Sequence, residues 1–139
     1  MWLNESLPNR LFAVIQQSVG DVKVFDGVPA VNLKDRPVVH VIVTMPSGIK
    51  SFGYVSGDAV REDLTFQTMV VVRSGAGMPV SRMGGEARHV AGLIRDGLLS
   101  LRVPNMSRVE HLVERASTDA PGIASHEVFT VVSQFRVRA

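Results

Sequence analysis

The segment Val38-Val39-His40-Val41-Ile42-Val43-Thr44-Met45, which follows Pro37, constrains this chain more tightly than any other. Its β-branched residues favour extended backbone, and both of its alternating faces are apolar, so neither can be left to water. It predicts a central strand covered on both sides, ended by Pro46-Ser47-Gly48. A second extended run, Leu64 to Arg73, places Leu64, Phe66, Thr68, Val70 and Val72 on one face and Thr65, Gln67, Met69, Val71 and Arg73 on the other. A chain carrying two such strands needs helices to cover them.

Two helical patterns supply that cover. From about Leu7 to Val19, the residues Leu7, Leu11, Val14, Ile15 and Ser18 or Val19 share one face, with Pro8 fitting the first turn and Gly20 the stop. From Ser81, the expected N-cap, the residues Met83, Ala87, Val90, Ala91, Ile94, Leu98 and Leu101 make a second apolar stripe that ends near Val103-Pro104-Asn105. Short strands are expected at Val22 to Phe25, closed by Asp26-Gly27, and at about Val109 to Ala116, where Glu110, His111, Glu114 and Arg115 imply exposure. A last strand is expected at about Glu127 to Arg138, its apolar face formed by Phe129, Val131, Ser133, Phe135 and Val137. Asp119, Pro121 and Gly122 supply the turn between the final two. The sum is an α+β fold: a mostly antiparallel sheet of about five strands with two helices packed against it.

The span from 46 to 63 fits this frame least well. Gly48, Gly53 and Gly57 interrupt it, and Ile49, Phe52, Tyr54, Val55 and Val60 are scattered among polar residues. A patternless stretch of that length implies a hairpin arm or a segment ordered by a partner.

At 139 residues, with 45% hydrophobic and 20% charged residues, the chain is expected to form one domain spanning 1–139. There is no cysteine, which removes disulfides and thiolate chemistry. No apolar run is long enough to span a membrane as a helix, and the N-terminus lacks the pattern of a secretory signal, so a soluble, non-secreted protein is expected. The net charge of +2 is too small to define a nucleic-acid binder.

Between the second long strand and the second helix lies Arg73-Ser74-Gly75-Ala76-Gly77-Met78-Pro79-Val80-Ser81, the layout of a phosphate-binding loop. It has no lysine, Val80 stands at the third glycine position of a dinucleotide fingerprint, and Pro79 removes a backbone donor. A turn or a subunit contact is the better reading, with a ligand-binding loop at Gly75 to Ser81 as the alternative. His40, His89, His111 and His126 fall on separate elements without metal-ligand spacing, and no serine lies in a nucleophile elbow. Asp58, Glu62 and Asp63 read as solvated carboxylates. No catalytic, cofactor or metal site is expected. Arg88, Arg95 and Arg102, spaced by seven, line one stripe of the second helix, either as a solvated face or as a surface for acidic side chains of another subunit or a DNA backbone.

With the elements in this order, the chain resembles the tail terminator family of long-tailed bacteriophages. The N-terminal helix leads into Val24-Phe25-Asp26-Gly27-Val28-Pro29, similar to the turn after that family's first helix. Val70 to Arg88 is similar to its strand, Ser/Gly loop and helix with a Glu-Ala pair, here Glu86-Ala87, and Asp119 to Arg138 to its closing strand pair. The resemblance implies a structural virion protein, not an enzyme, that needs no cofactor. It implies a homo-oligomeric, hexameric ring that caps the tail tube, ends tube polymerisation and joins a head-side stopper or connector, at the head–tail joint, after assembly in the host cytoplasm. Genomic DNA would pass through the lumen without sequence-specific binding. The residues expected to meet a neighbouring subunit or the tube are Ile49, Phe52, Tyr54, Val55, Val60, Arg61, Arg73 and Met78, beside the basic stripe. Another neck or head-completion protein of the same particle is the alternative within this class.

Overall fold

The computed structural model describes residues 2–45, 50–53, 60–75, 77–103, 107–117 and 128–138, with backbone alone for 2–6, 50–53 and 60–63. Among the described residues two helices and six strands follow in the order α1 (Trp2–Val19), β1 (Lys23–Asp26), β2 (Val39–Thr44), β3 (Lys50–Gly53), β4 (Val60–Arg73), α2 (Val80–Ser100), β5 (Glu110–Ser117) and β6 (Val128–Arg138). Five strands run side by side as β1-β2-β4-β6-β5, and β3 pairs with β4 outside that path. All pairings are antiparallel except β1 with β2. The fold is α+β, as the patterning requires.

The register explains the two-sided apolar run. On one face Val41 pairs with Val70, Val131 with Val70, and Phe135 with Phe66. These side chains, with Val24, Val43, Leu64, Val72 and Val137, are buried under both helices. From α1 the cover is Leu7, Leu11, Ile15 and Val19; from α2 it is Met83, Ala87, Val90, Ala91, Ile94 and Leu98. On the opposite face Ile42, Val71 and Val128 form a smaller cluster with Leu33 and Met69. Leu33 belongs to a short 3-10 turn, Leu33–Asp35, in the connection between the parallel strands β1 and β2. A parallel pair cannot be joined by a tight turn, so a long crossover is obligatory. Here that crossover covers the second side of β2.

Three element starts differ in an instructive way from the sequence expectation. α2 begins at Val80 behind Pro79 as N-cap, without a side-chain cap bond, and Ser81 lies inside the first turn. Proline's fixed φ suits the cap, and Arg82 N donates to Pro79 O at 3.0 Å, so the helix starts ahead of the residue that capping preference selects. α1 starts at Trp2, which puts Pro8 inside the helix instead of in its first turn. The expected helix is bounded at Leu7, although Leu3 stands four residues earlier and continues the spacing of Leu7 and Leu11. β4 begins at Val60, and its first four residues pair with β3, with Gly53 opposite Val60 and Lys50 opposite Asp63. α2 ends at Ser100, with Leu101 as its C-cap, a few residues ahead of the expected stop near Val103-Pro104-Asn105; Pro104-Asn105 themselves and the turn at Asp119, Pro121 and Gly122 lie outside the described residues.

Candidate functional site

The glycine-rich loop is a closed reversal. Gly75 N donates to Met78 O at 3.3 Å and Met78 N to Gly75 O at 2.9 Å. Gly75 and Gly77 have φ of 109° and 89°, values that side-chain-bearing residues rarely adopt. A phosphate cradle needs free backbone N–H groups converging on one point, and this reversal engages the amides of Gly75, Met78 and Arg82 with its own carbonyls. Met78 is half-buried against the main core. The arginine entering the loop is engaged too: Arg73 Nε and Nη2 donate to Arg36 O at 3.2 and 2.7 Å.

That contact starts a relay. Arg36 Nε donates to Val31 O at 2.9 Å and its Nη2 to Pro29 O at 3.3 Å. Two guanidiniums thus hold the β1–β2 crossover through its carbonyls, with Leu33 as its apolar anchor beneath. The crossover nevertheless displays Val28, 77% exposed, and Val31, 47% exposed. A rigidly held loop with bare valines is suited to contact with another macromolecule. Sequence reading passed over it; the available signal was a pair of valines, Val28 and Val31, between turn formers and without a strand to occupy.

His40 lies beneath this relay and is fully buried. Its Nδ1–H donates to Pro37 O at 3.0 Å, because a carbonyl only accepts, and its ring packs edge-on against Phe25 at 5.7 Å between centroids. Nε2 is buried with no partner among the described residues. Burial holds the imidazole below its ordinary value of 6.5; the bond to Pro37 opposes this, and the cations Arg36 and Arg73 reinforce it. The sign for folding follows. The unfolded chain takes up a proton near pH 6.5 and the folded chain only lower, so stability is full above 6.5 and falls as pH drops from there through the folded value. Urea midpoints measured between pH 7.5 and 5 are expected to show this decline, and His40→Gln is expected to flatten it. Glu110, whose carboxyl is held below 4.5 by its hydrogen bond with Arg136, contributes fully above pH 4.5 and loses that contribution as pH falls from 4.5 through its lowered folded value.

The basic residues of α2 do not form one free stripe. Arg88 lies exposed with its guanidinium 5.8 Å from the Phe129 ring centroid. Arg95 pairs with Asp96 at 3.6 Å. Arg102 lies beyond the helix end, and its Nη1 donates to Leu99 O at 2.8 Å and Leu101 O at 3.0 Å, satisfying carbonyls the helix leaves open. On the edge strand, His111 stacks on Phe135 at 5.0 Å. Glu114 accepts from Ser133 Oγ at 3.4 Å, and Glu110 accepts from Arg136 at 2.7 Å. These groups fasten β5 to β6. Of the expected contact residues, Phe52, Val60 and Arg61 lie in the β3–β4 pairing, with Phe52 opposite Arg61, away from Arg73 and Met78 along β4. Ile49, Tyr54 and Val55 lie outside the described residues.

A shallow pocket opens beside the end of β2, framed by Pro8, Asn9, Phe12, Asp26 and Met45. Among the described residues no cluster of His, Asp or Glu is placed to hold a metal ion, and no helix is long and apolar enough to cross a membrane.

No family model matches the sequence, and no curated protein matches it. Among solved structures, the fold is that of a chain in the virion of a native gene transfer agent particle. The two share 18% sequence identity with a TM-score of 0.52, over 93% of this chain and 86% of that one. At such identity the likeness defines a common fold.

Proposed function

We propose that this chain is a structural protein of a phage virion and, more specifically, the terminator of its tail tube. The observation that carries this reading is the shared fold with a chain of the gene transfer agent virion, over nearly the full length of both. The resemblance of Val24 to Pro29, of Val70 to Arg88 and of the closing strand pair to tail terminators supports the finer assignment. The protein acts by assembly and not by catalysis. Copies close into a ring, hexameric by the same resemblance, that covers the last layer of tube subunits and offers its other face to a head-side stopper, leaving a lumen for the genome.

The surface chemistry suits such a role. The crossover valines are held in place before any partner arrives, which lowers the ordering cost of association. The β3–β4 pairing extends β4 beyond β2, giving the sheet an arm that reaches a neighbour or the tube.

Native mass measurement of the protein, alone and with tail tube subunits, tests the reading. A closed ring is expected, and tubes grown in its presence are expected to stop at a fixed length. A strict monomer that never joins a tube would overturn it.

A further inference from the structure

We propose that the pocket framed by Pro8, Asn9, Phe12, Asp26 and Met45 is the seat for the exposed corner of a second copy, formed where α2 begins at Val80 and Arg82. This contact rests on the ring reading and specifies how one copy meets the next.

The two surfaces are complementary. In the pocket, Phe12, Met45 and Pro8 supply half-buried apolar lining around the exposed Asp26. Asp26 has no ion-pair partner among the described residues. Two residues on along the chain, Val28 is also exposed. At the corner, Pro79, Val80, Ser81 and Arg82 are all exposed, and Val80 is 57% exposed, although nothing in the fold requires a valine there. Arg82 likewise has no carboxylate partner among the described residues. Other arginines are committed within the chain: Arg36, Arg73 and Arg102 to carbonyls, Arg95 and Arg136 to carboxylates. Arg10, Arg88, Arg108 and Arg115 also have no carboxylate partner among the described residues, but of these unmatched arginines Arg82 is the one that stands beside the exposed Val80 at the start of α2. An apolar lining with one unmatched carboxylate therefore faces, on the same molecule, an apolar corner with one unmatched guanidinium.

The topology places them where successive copies can join. β2 runs toward the pocket and ends next to Met45, while β4 runs antiparallel to it and ends at Arg73, before the corner. Thr44 pairs with Gln67 and Val39 with Val72, so pocket and corner lie at opposite ends of the β2–β4 pair, roughly 20 Å apart along the strands. A surface at one end that fits a different surface at the other gives a head-to-tail contact. Such contacts leave each copy with one free donor and one free acceptor until a ring closes. Pairing Asp26 with Arg82 adds orientation and a dependence on ionic strength to the apolar seating of Val80.

The test uses the full chain, with Asp26→Arg, Arg82→Asp and the combined swap compared with the parent by sedimentation velocity and native mass spectrometry at low and high salt. Both side chains are exposed, so circular dichroism and thermal midpoints are expected to stay unchanged. Each single reversal is expected to weaken self-association by at least about tenfold, and the swap to restore most of it. Undiminished assembly of Asp26→Arg, failure of the swap to recover assembly, or a parent protein that is monomeric at high concentration would each overturn the contact. Tube length measured on the same samples separates the two readings. Variants that assemble and cap as the parent does would remove this contact and leave the terminator role standing. A parent that assembles and responds to the swap as described, yet leaves tube growth unchecked, would support the contact and remove the terminator role.

Discussion

Phe135→Ala is expected to destabilise the protein by about 3–5 kcal/mol, the usual cost of emptying a large aromatic site in a core. Phe135 is fully buried on the helix-covered face of the sheet. It stacks on Phe66 across the β4–β6 register, with ring centroids 5.5 Å apart, and the His111 ring of the edge strand stacks on it at 5.0 Å. Removing the ring therefore opens a void at the centre of the sheet and loosens β5 as well. Domains of this size have roughly 5–15 kcal/mol of stability in total, so the variant should unfold at far lower urea than the parent. Phe135→Leu, which keeps most of the volume, is expected to cost distinctly less than the alanine change. Equilibrium unfolding of both measures the difference. A loss below about 1 kcal/mol for the alanine variant would mean that this aromatic stack is not the centre of the core.

The same residues show why the fold was legible in the sequence. Phe135 and Phe66 lie on alternating runs whose period of two has no helical interpretation, and the α2 stripe from Met83 to Leu98 repeats every three to four residues. Periodicity records burial, and burial organises most of this chain. It gives no clear signal where burial is not the organising force. β3 pairs through its backbone, and its sequence Lys50-Ser51-Phe52-Gly53 has no apolar face to mark it. The start of α2 depends on the φ of Pro79, which overrides the capping preference of Ser81. The surface features were harder still. Arg73 and Arg102 look like free cations in a sequence, yet both donate to backbone carbonyls, and only the folded chain shows which carbonyls lie within reach. Asp26 reads as a turn residue before Gly27, and its place beside Phe12 and Met45 arises from the packing of α1 against the end of the parallel strand pair.

Replacing Gly97 is the other change expected to have a large effect, and its sign tests how closely the helices approach. Helix propensity alone says that glycine to alanine inside a helix should stabilise by up to about 1 kcal/mol. At Gly97 an added Cβ would overlap Ser18 Oγ and lie 3.0 Å from Ser18 Cβ. The Ser18 hydroxyl is held by its bond to Val14 O at 2.7 Å; turning it away breaks that bond and leaves the contact with Ser18 Cβ, so the overlap is relieved by losing the bond and moving α1 away from α2. That movement loosens Leu11 and Ile15 of α1 and Ile94 and Leu98 of α2, all fully buried. Gly97→Ala should therefore destabilise by about 1–2 kcal/mol, and Gly97→Val by about 3 kcal/mol. Gly85 provides the control, because nothing lies within 4 Å of the Cβ it would gain, and Gly85→Ala should stabilise by about 0.5–1 kcal/mol. In a Ser18→Gly background the clash disappears, and Gly97→Ala should become neutral or stabilising. That reversal of sign in a double-mutant cycle is the signature of two helices held in contact through a glycine. Stabilisation by Gly97→Ala in the parent would show instead that α1 and α2 stand further apart.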